Sequence, residues 1–226
     1  MTHVLDRPVW NALATRHAAL AEGGALARRY DPSIVPFAAA RDDSRECLAA
    51  LAALPRPGEL MALAEPGPVA PPPGFVVVRA GPGVQMTLAG APDPVADARI
   101  ERLTETDAPE MLALAKLTQP GPFTLRAQAL GDFFGVRIDG RLAAMAGERM
   151  KQEGYAELSG VCADPDFRGR GLARLLSVFV ARRILARGET PYLHAWADNV
   201  GAIGLYDSIG FQTRTMLNFA IIQAQR

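Results

Sequence analysis

The chain has 226 residues, 49% hydrophobic and 21% charged, enough for one large domain or two modest ones with real cores. Its 24 Lys and Arg balance 24 Asp and Glu, so no overall field draws it to nucleic acid or to an anionic membrane, and neither is expected as a partner. No stretch approaches the ~20 apolar residues of a membrane helix, and MTHVLDRPVW lacks a signal-peptide pattern, which makes the cytoplasm the expected location. Cys47, Cys162, His3, His17 and His194 are too scattered for a disulfide framework or a metal centre, so no metal is expected.

In chain order, Arg7 to Arg29 is Ala/Leu-rich and reads as helix, and Ser44 is a good N-cap for a second helix reaching Leu54. From Pro55 to Pro94 proline and glycine dominate, most densely over Pro66 to Gly74, which marks loops. Within that stretch Phe75 to Arg79 reads as a strand and Gln85 to Leu88 as another. The first 97 residues therefore read as a small α+β unit.

From Ala98 the pattern becomes regular. A short strand, Ile100 to Leu103, precedes Thr104 to Asp107, which caps a helix carrying Met111, Leu112, Leu114 and Leu117. Strands Phe133 to Ile138 and Leu142 to Arg149 flank Asp139-Gly140, a hairpin signal. A third strand, Tyr155 to Ala163, is followed by an amphipathic helix, Leu172 to Leu185, stopped by Gly188. A strand from Tyr192 to Ala197, a helix from Val200 to Ile209 ended by Gly210, and a strand from Met216 to Ile222 complete residues 98–226. The fold class expected is α/β (α+β), a mixed and mainly antiparallel sheet flanked by helices.

The most informative stretch is Val161-Cys162-Ala163-Asp164-Pro165-Asp166-Phe167-Arg168-Gly169-Arg170-Gly171-Leu172-Ala173, between a strand and the long helix. Two glycines at a helix entrance let backbone approach a ligand closely, and the free N–H groups there form an anion site that suits a pyrophosphate. A tight strand-to-helix turn with ordinary surface arginines gives the same local pattern. Neither G-x-G-x-x-G nor G-x-x-x-x-G-K-[ST] is present, which excludes a dinucleotide fingerprint and a P-loop.

Arg168-Gly169-Arg170-Gly171-Leu172-Ala173 resembles the R/Q-x-x-G-x-G/A signature of the GNAT acetyltransferases. Downstream, Asn199, Ala202, Leu205, Tyr206, Gly210 and Phe211 match the second hallmark of that superfamily, N-x-x-A-x-x-L-Y-x-x-x-G-F. The resemblance covers roughly Ile100 to Ile222; the first 97 residues have a size that suits a degenerate partial copy of the fold. It implies an acetyltransferase that moves an acetyl group from acetyl-CoA to an amine by direct transfer in a ternary complex. Backbone groups of Val161, Cys162 and Ala163 would then meet the pantetheine arm, and Arg168, Gly169, Arg170, Gly171, Leu172 and Ala173 the phosphates. Asn199 is an N-cap with an implied cofactor contact, and Tyr206 stands where many family members place a tyrosine near the cofactor sulfur, a candidate acid.

For the base, strand alternation places Glu157 on one face with Tyr155, Ser159 and Val161, ~13 Å back along the strand from Val161, with Ser159 or a water chain as alternatives. Cys162, on the opposite face, reads as a buried small hydrophobe. The acceptor, a small molecule or a protein N-terminus, is not legible, although the loops from Leu117 to Leu130 around TQPGPF are where it would bind. The resemblance also implies a homodimer. The reading from another class is a catalytically silent acyl-CoA-binding or interaction module.

Overall fold

The computed structural model describes residues 3–225. Its elements are α1 (Pro8–Ala14), β1 (Ala21–Gly23), β2 (Ala27–Tyr30), β3 (Ala38–Ala40), α2 (Arg45–Ala52), β4 (Leu60–Glu65), β5 (Phe75–Leu88), β6 (Ile100–Leu103), α3 (Ala108–Thr118), β7 (Phe133–Ile138), β8 (Arg141–Gln152), β9 (Tyr155–Ala163), α4 (Leu172–Ala186), β10 (Thr190–Trp196), α5 (Val200–Ile209) and β11 (Phe211–Ala224). Strands β1, β2 and β3 form a small antiparallel sheet. The other eight make one sheet in the order β4-β11-β5-β10-β9-β8-β7-β6, antiparallel throughout except for the parallel pair β9 and β10. This is the mixed, mainly antiparallel α/β architecture expected.

Three differences from the sequence reading have local causes. Only Pro8–Ala14 of the Arg7 to Arg29 segment is α-helical, because Gly23, at φ +106°, turns the chain into the β1–β2 hairpin, where Gly24 N–H donates to the Ala27 carbonyl at 2.9 Å. Burial of Ala27 and Tyr30 then outweighs a helical propensity that is weak per residue. Second, the two short strands expected near Phe75 and Gln85 are one, β5, running through Gly81-Pro82-Gly83. Pro82 is tolerated because the β5–β10 ladder stops there: Trp196 pairs with Gly83, and Ala197 N–H donates to the Pro82 carbonyl at 3.0 Å. Third, β4 and β5 belong to the large sheet, and β5 lies between β11 and β10. A line at residues 97/98 therefore passes through a shared sheet.

The helix starts follow the capping residues read from sequence. Ser44 accepts from Cys47 N–H at 3.4 Å, Thr104 and Asp107 form a reciprocal capping box ahead of α3, and Asn199 accepts from Ala202 N–H at 3.2 Å. Helices α4 and α5 cover one face of the sheet with an apolar cluster that includes Val136, Ala144, Leu158, Leu176, Val180, Ile184 and Leu193. The other face is covered by α3, through Met111, Leu114 and Ala115, and by the N-terminal segment, through Leu5, Val9, Leu13, Tyr30 and Phe37. Among the described residues no helix is long and apolar enough to cross a membrane, and no three His, Cys, Asp or Glu side chains converge as metal ligands.

Candidate active site

Strands β9 and β10 pair only where Tyr155 to Glu157 meet Thr190 to Tyr192. Beyond that point they part, β10 held by β5 and β9 by β8. Asp164 N–H donates to the Ala143 carbonyl at 2.9 Å, so by the alternation of backbone groups those of Val161 and Ala163 face the opened side. An extended ligand arm can add itself there as a strand would.

The side chains around this opening depart from simple alternation. Between the Met145–Cys162 and Gly147–Ser159 pairs, β9 carries one residue more than β8, a bulge at Gly160, whose φ of +63° is one that glycine adopts readily. The bulge reverses parity. Val161 and Ala163 pack on the α4 side with Leu158, while Cys162 joins the cluster under α3. The expectation that Glu157 and Val161 share a face, with Cys162 opposite, is thus corrected. Cys162 is buried, which pushes its thiol up to about 11 despite hydrogen bonds from Thr118 and the backbone; at neutral pH it is a protonated core residue.

At the far end of the opening β9 runs into the turn before α4. Gly171 caps α4 in the left-handed conformation, φ +71°, with no side chain capping the first turn. The N–H groups of Gly169 to Ala173 accordingly have no acceptor among the described residues. A Cβ added at Gly169 or Gly171 would meet nothing within 4 Å, so the space over the turn is free. Arg168, Arg170 and Arg174 are exposed around it, without carboxylate partners among the described residues, although Arg170 lies 5.3 Å over the Phe167 ring. Leu172, by contrast, turns its side chain into the core, leaving only its backbone for a ligand.

Tyr206 projects from α5 into the cluster under α4, edge-on to Phe211 with ring centroids 6.0 Å apart. Its hydroxyl has no hydrogen-bond partner among the described residues. Burial, reinforced by Cys162 and Glu157, pushes the phenol up to about 12, so it is a donor at any physiological pH.

Glu157 is fully buried, 0% exposed, and is neither solvated nor open to a ligand. Arg149 donates to it from Nε at 2.8 Å and from Nη2 at 2.7 Å. Met150 N–H adds a bond of 3.2 Å and His194 Nδ1 one of 2.7 Å. Each carboxylate oxygen accepts two bonds, so no lone pair is left for a substrate proton. Burial alone would raise this carboxyl, but the Arg149 charge and the Arg149 and His194 hydrogen bonds outweigh it and hold it at about 2. A proton acceptor so weak and so saturated differs from the general base expected at this position; it is a fixed anion that orients Arg149.

The network extends away from the opening. Gln85 Nε2 donates to the Leu5 carbonyl at 2.8 Å and lies 2.9 Å from His194 Nε2, while Gln85 Oε1 accepts from Arg214, which also pairs with Asp6. With the Gln85 amide fixed this way, His194 Nε2 accepts and Nδ1 donates to Glu157. Arg149, His194 and Gln85 went unnoticed in the sequence. The register of the sheet places all three on the face of Glu157.

Beside the opening, on the α3 face, a narrow cleft open to solvent, with an accessible volume of about 10 Å³, is lined by Pro120 to Phe123, Ala127, Leu130, Phe133, Arg149, Ser159 and Gly160. The TQPGPF loop expected to meet the acceptor is one of its walls.

Comparison with known proteins bears directly on this arrangement. The family described as FR47-like protein matches residues 134–220. A crystal structure of a putative acetyltransferase from the GNAT family of Novosphingobium aromaticivorans is 47% identical, covers 100% of both chains and superposes with a TM-score of 0.93. The chain belongs to the GNAT family. It is therefore an acyltransferase by family, and the GNAT fold is one that uses acetyl-CoA. The [ribosomal protein bS18]-alanine N-acetyltransferase of Salmonella typhimurium is 30% identical over 128 residues, 52% of this chain and 82% of that protein. An acetyltransferase of Pectobacterium atrosepticum is 32% identical over 51% of this chain and 75% of its own. A GCN5-related N-acetyltransferase of Kribbella flavida shares the GNAT fold over 96% of this chain at 18% identity, TM-score 0.63.

Proposed function

We propose that this GNAT protein transfers an acetyl group from acetyl-CoA to an amine, directly and within a ternary complex. The observation that carries the reading is the β9–β10 opening, which leads from unpaired backbone at Val161 and Ala163 to a turn whose N–H groups, from Gly169 to Ala173, have no acceptor among the described residues. The free space over Gly169 and Gly171 and the three exposed arginines fit a pyrophosphate there. Bound in this way, acetyl-CoA supplies an activated thioester, and a cytoplasmic location is part of the same reading.

In the net reaction the amine nitrogen bonds the acetyl carbon, the carbon–sulfur bond breaks, the amine loses a proton and the sulfur gains one. Tyr206 donates a hydrogen bond toward the departing sulfur. Full proton transfer from a phenol at about 12 to a thiolate of cysteine-like acidity, ~8.5, is uphill by about 5 kcal/mol, so the hydroxyl stabilises the thiolate and the proton comes from solvent or the acetylated amine. Glu157 serves as a positioning residue for Arg149, and a water or Ser159 receives the amine proton. Relatives whose names specify an alanine of a ribosomal protein support an amine as the acceptor class.

Arg174→Glu tests the anion site. A carboxylate in the first turn of α4 favours the helix but repels a pyrophosphate, so melting temperature should hold or rise while acetyl-CoA affinity falls at least tenfold. Unchanged affinity would remove the turn from the binding site, and binding without coenzyme A release from any amine would remove catalysis.

A further inference from the structure

The guanidinium of Arg149 is held on two sides. Its Nε and Nη2 edge forks onto the buried Glu157 at 2.8 and 2.7 Å, and its plane lies 4.7 Å from the centre of the Phe37 ring. The remaining nitrogen, Nη1, has no hydrogen-bond partner among the described residues. It sits 3.8 Å from where a Cβ on Gly121 would stand, and Gly121 and Arg149 both line the cleft at the β9–β10 opening. The guanidinium is thus immobilised before any ligand arrives, with one N–H edge aimed into the cleft.

Among the described residues Arg149 is the one charged side chain lining that cleft, and the other walls are mainly apolar, with Phe123 and Phe133 edge-on to each other. No carboxylate among the described residues lines it to receive a second cation, so a diamine or polyamine meets a like charge without compensation. A ligand lying over the mouth of the cleft, with an anionic oxygen on Nη1 and an apolar body against the phenylalanine side, pairs the free guanidinium edge.

We propose that Arg149 is the specificity-determining residue for the acceptor and that it selects an amine carrying a carboxylate beside it and an apolar side chain, an apolar α-amino acid. This rests on the acetyl-transfer reading above and names its substrate class. With the carboxylate on Nη1, the amine is directed along the cleft wall toward Ser159 and Gly160, where β9 parts from β10. Glu157, His194 and Gln85 act behind it as positioning residues that keep the fork in place.

The test compares three acceptors of one shape on the unmodified protein: L-phenylalanine, L-phenylalaninamide and 2-phenylethylamine, read by coenzyme A release. The carboxylate should be used with a kcat/KM at least tenfold above the other two. A second readout does not depend on turnover: calorimetric binding, in the presence of coenzyme A, of N-acetyl-L-phenylalanine against its amide, with the acid at least tenfold tighter. Arg149→Lys keeps a positive charge near Glu157 but loses the outward edge, and should abolish both preferences at a melting temperature recorded alongside. If that variant fails to fold, the wild-type pairs still decide. Equal use of acid and amide, or preference for the amide as a peptide N-terminus would show, overturns the selection while leaving acetyl transfer standing. If no amine supports release, the transfer reading fails, and the product pair alone judges the Arg149 site.

Discussion

The two faces of the sheet at β9 and β10 are built on opposite principles. Toward α4 and α5 the strands present Ala156, Leu158 and Leu193 to Leu176, Val180 and Ile184, an aliphatic cluster, with the buried Glu148 of the neighbouring β8 paired to Arg187 at the end of α4. Toward the N-terminal segment the same strands present Glu157 and His194, tied through Arg149, Gln85 and Arg214 to Asp6. The apolar face gains stability from area and packing, which tolerate small displacements of each atom. Buried ions gain little net stability, because desolvation offsets their attraction, but the fork of Arg149 on Glu157 fixes a guanidinium to within a bond length. One face holds the fold and the other holds a direction.

That contrast can be broken by single substitutions. The largest effect is expected for Glu157→Gln, which leaves the buried Arg149 without a counter-charge and should cost about 3–5 kcal/mol in denaturant unfolding. A stable variant that loses only turnover would restore Glu157 as the general base. On the apolar face, Leu176→Ala, at a site with 0% exposure, should cost about 2–5 kcal/mol by cavity formation. Acetyl-CoA affinity should be unchanged once the folded fraction is accounted for, and a large loss of affinity would mean that this face, too, aims functional groups.

A pH series sharpens the comparison. His17, buried against the Tyr30 hydroxyl at 2.9 Å, is pushed down to about 4, first by burial and then by the Lys151 and Arg16 charges. Because the unfolded imidazole binds its proton near 6.5, stability attributable to His17 is present above that pH and lost as pH falls from about 6.5 to 4, on the order of 3 kcal/mol. Glu65, raised to about 7 mainly by burial, titrates over part of that range in the opposite sense. The measurement is therefore the difference between wild type and His17→Leu, and a flat difference would show that the ring is not buried as a neutral base. Below it, the Glu157 contribution is lost as pH falls from about 4.5 to 2.

The smallest stability effect belongs to Tyr206→Phe. The ring keeps its packing and the hydroxyl leaves no partner unpaired, so stability should change by less than ~1 kcal/mol. Single-turnover acetyl transfer should slow about 10- to 100-fold if the hydroxyl stabilises the departing thiolate. Normal single-turnover rates would make Tyr206 a core residue of the apolar face and nothing more.

How much of this was legible follows the same division. Periodicity and caps located the helices and strands after residue 98, since Asp107, Asn199, Gly188 and Gly210 act through local chemistry. The glycine turn before α4 and the helix around Tyr206 were readable because family motifs record backbone requirements. The bulge at Gly160 was not, as one extra residue in β9 leaves no mark in composition yet exchanges the faces of Val161 and Cys162. The Arg149–Glu157–His194–Gln85 chain was hidden for another reason: its members lie on four strands, and only the register of the sheet brings them together.

The place of β5 has a consequence for how the protein is made. On the ribosome, β5 is complete at residue 88, while β10 begins at 190 and β11 at 211. A strand destined for the interior of the sheet therefore waits for more than 100 residues, on the order of 5–20 s at ordinary elongation rates, with Phe75 to Val78 and Val84 to Leu88 unpaired. Closure must await nearly the whole chain, which predicts late, all-or-none acquisition of protease resistance during synthesis. For the same reason a chain starting at residue 98 would be born with β10 and β11 facing a gap, and its tendency would be to fill that gap with a strand from a neighbour.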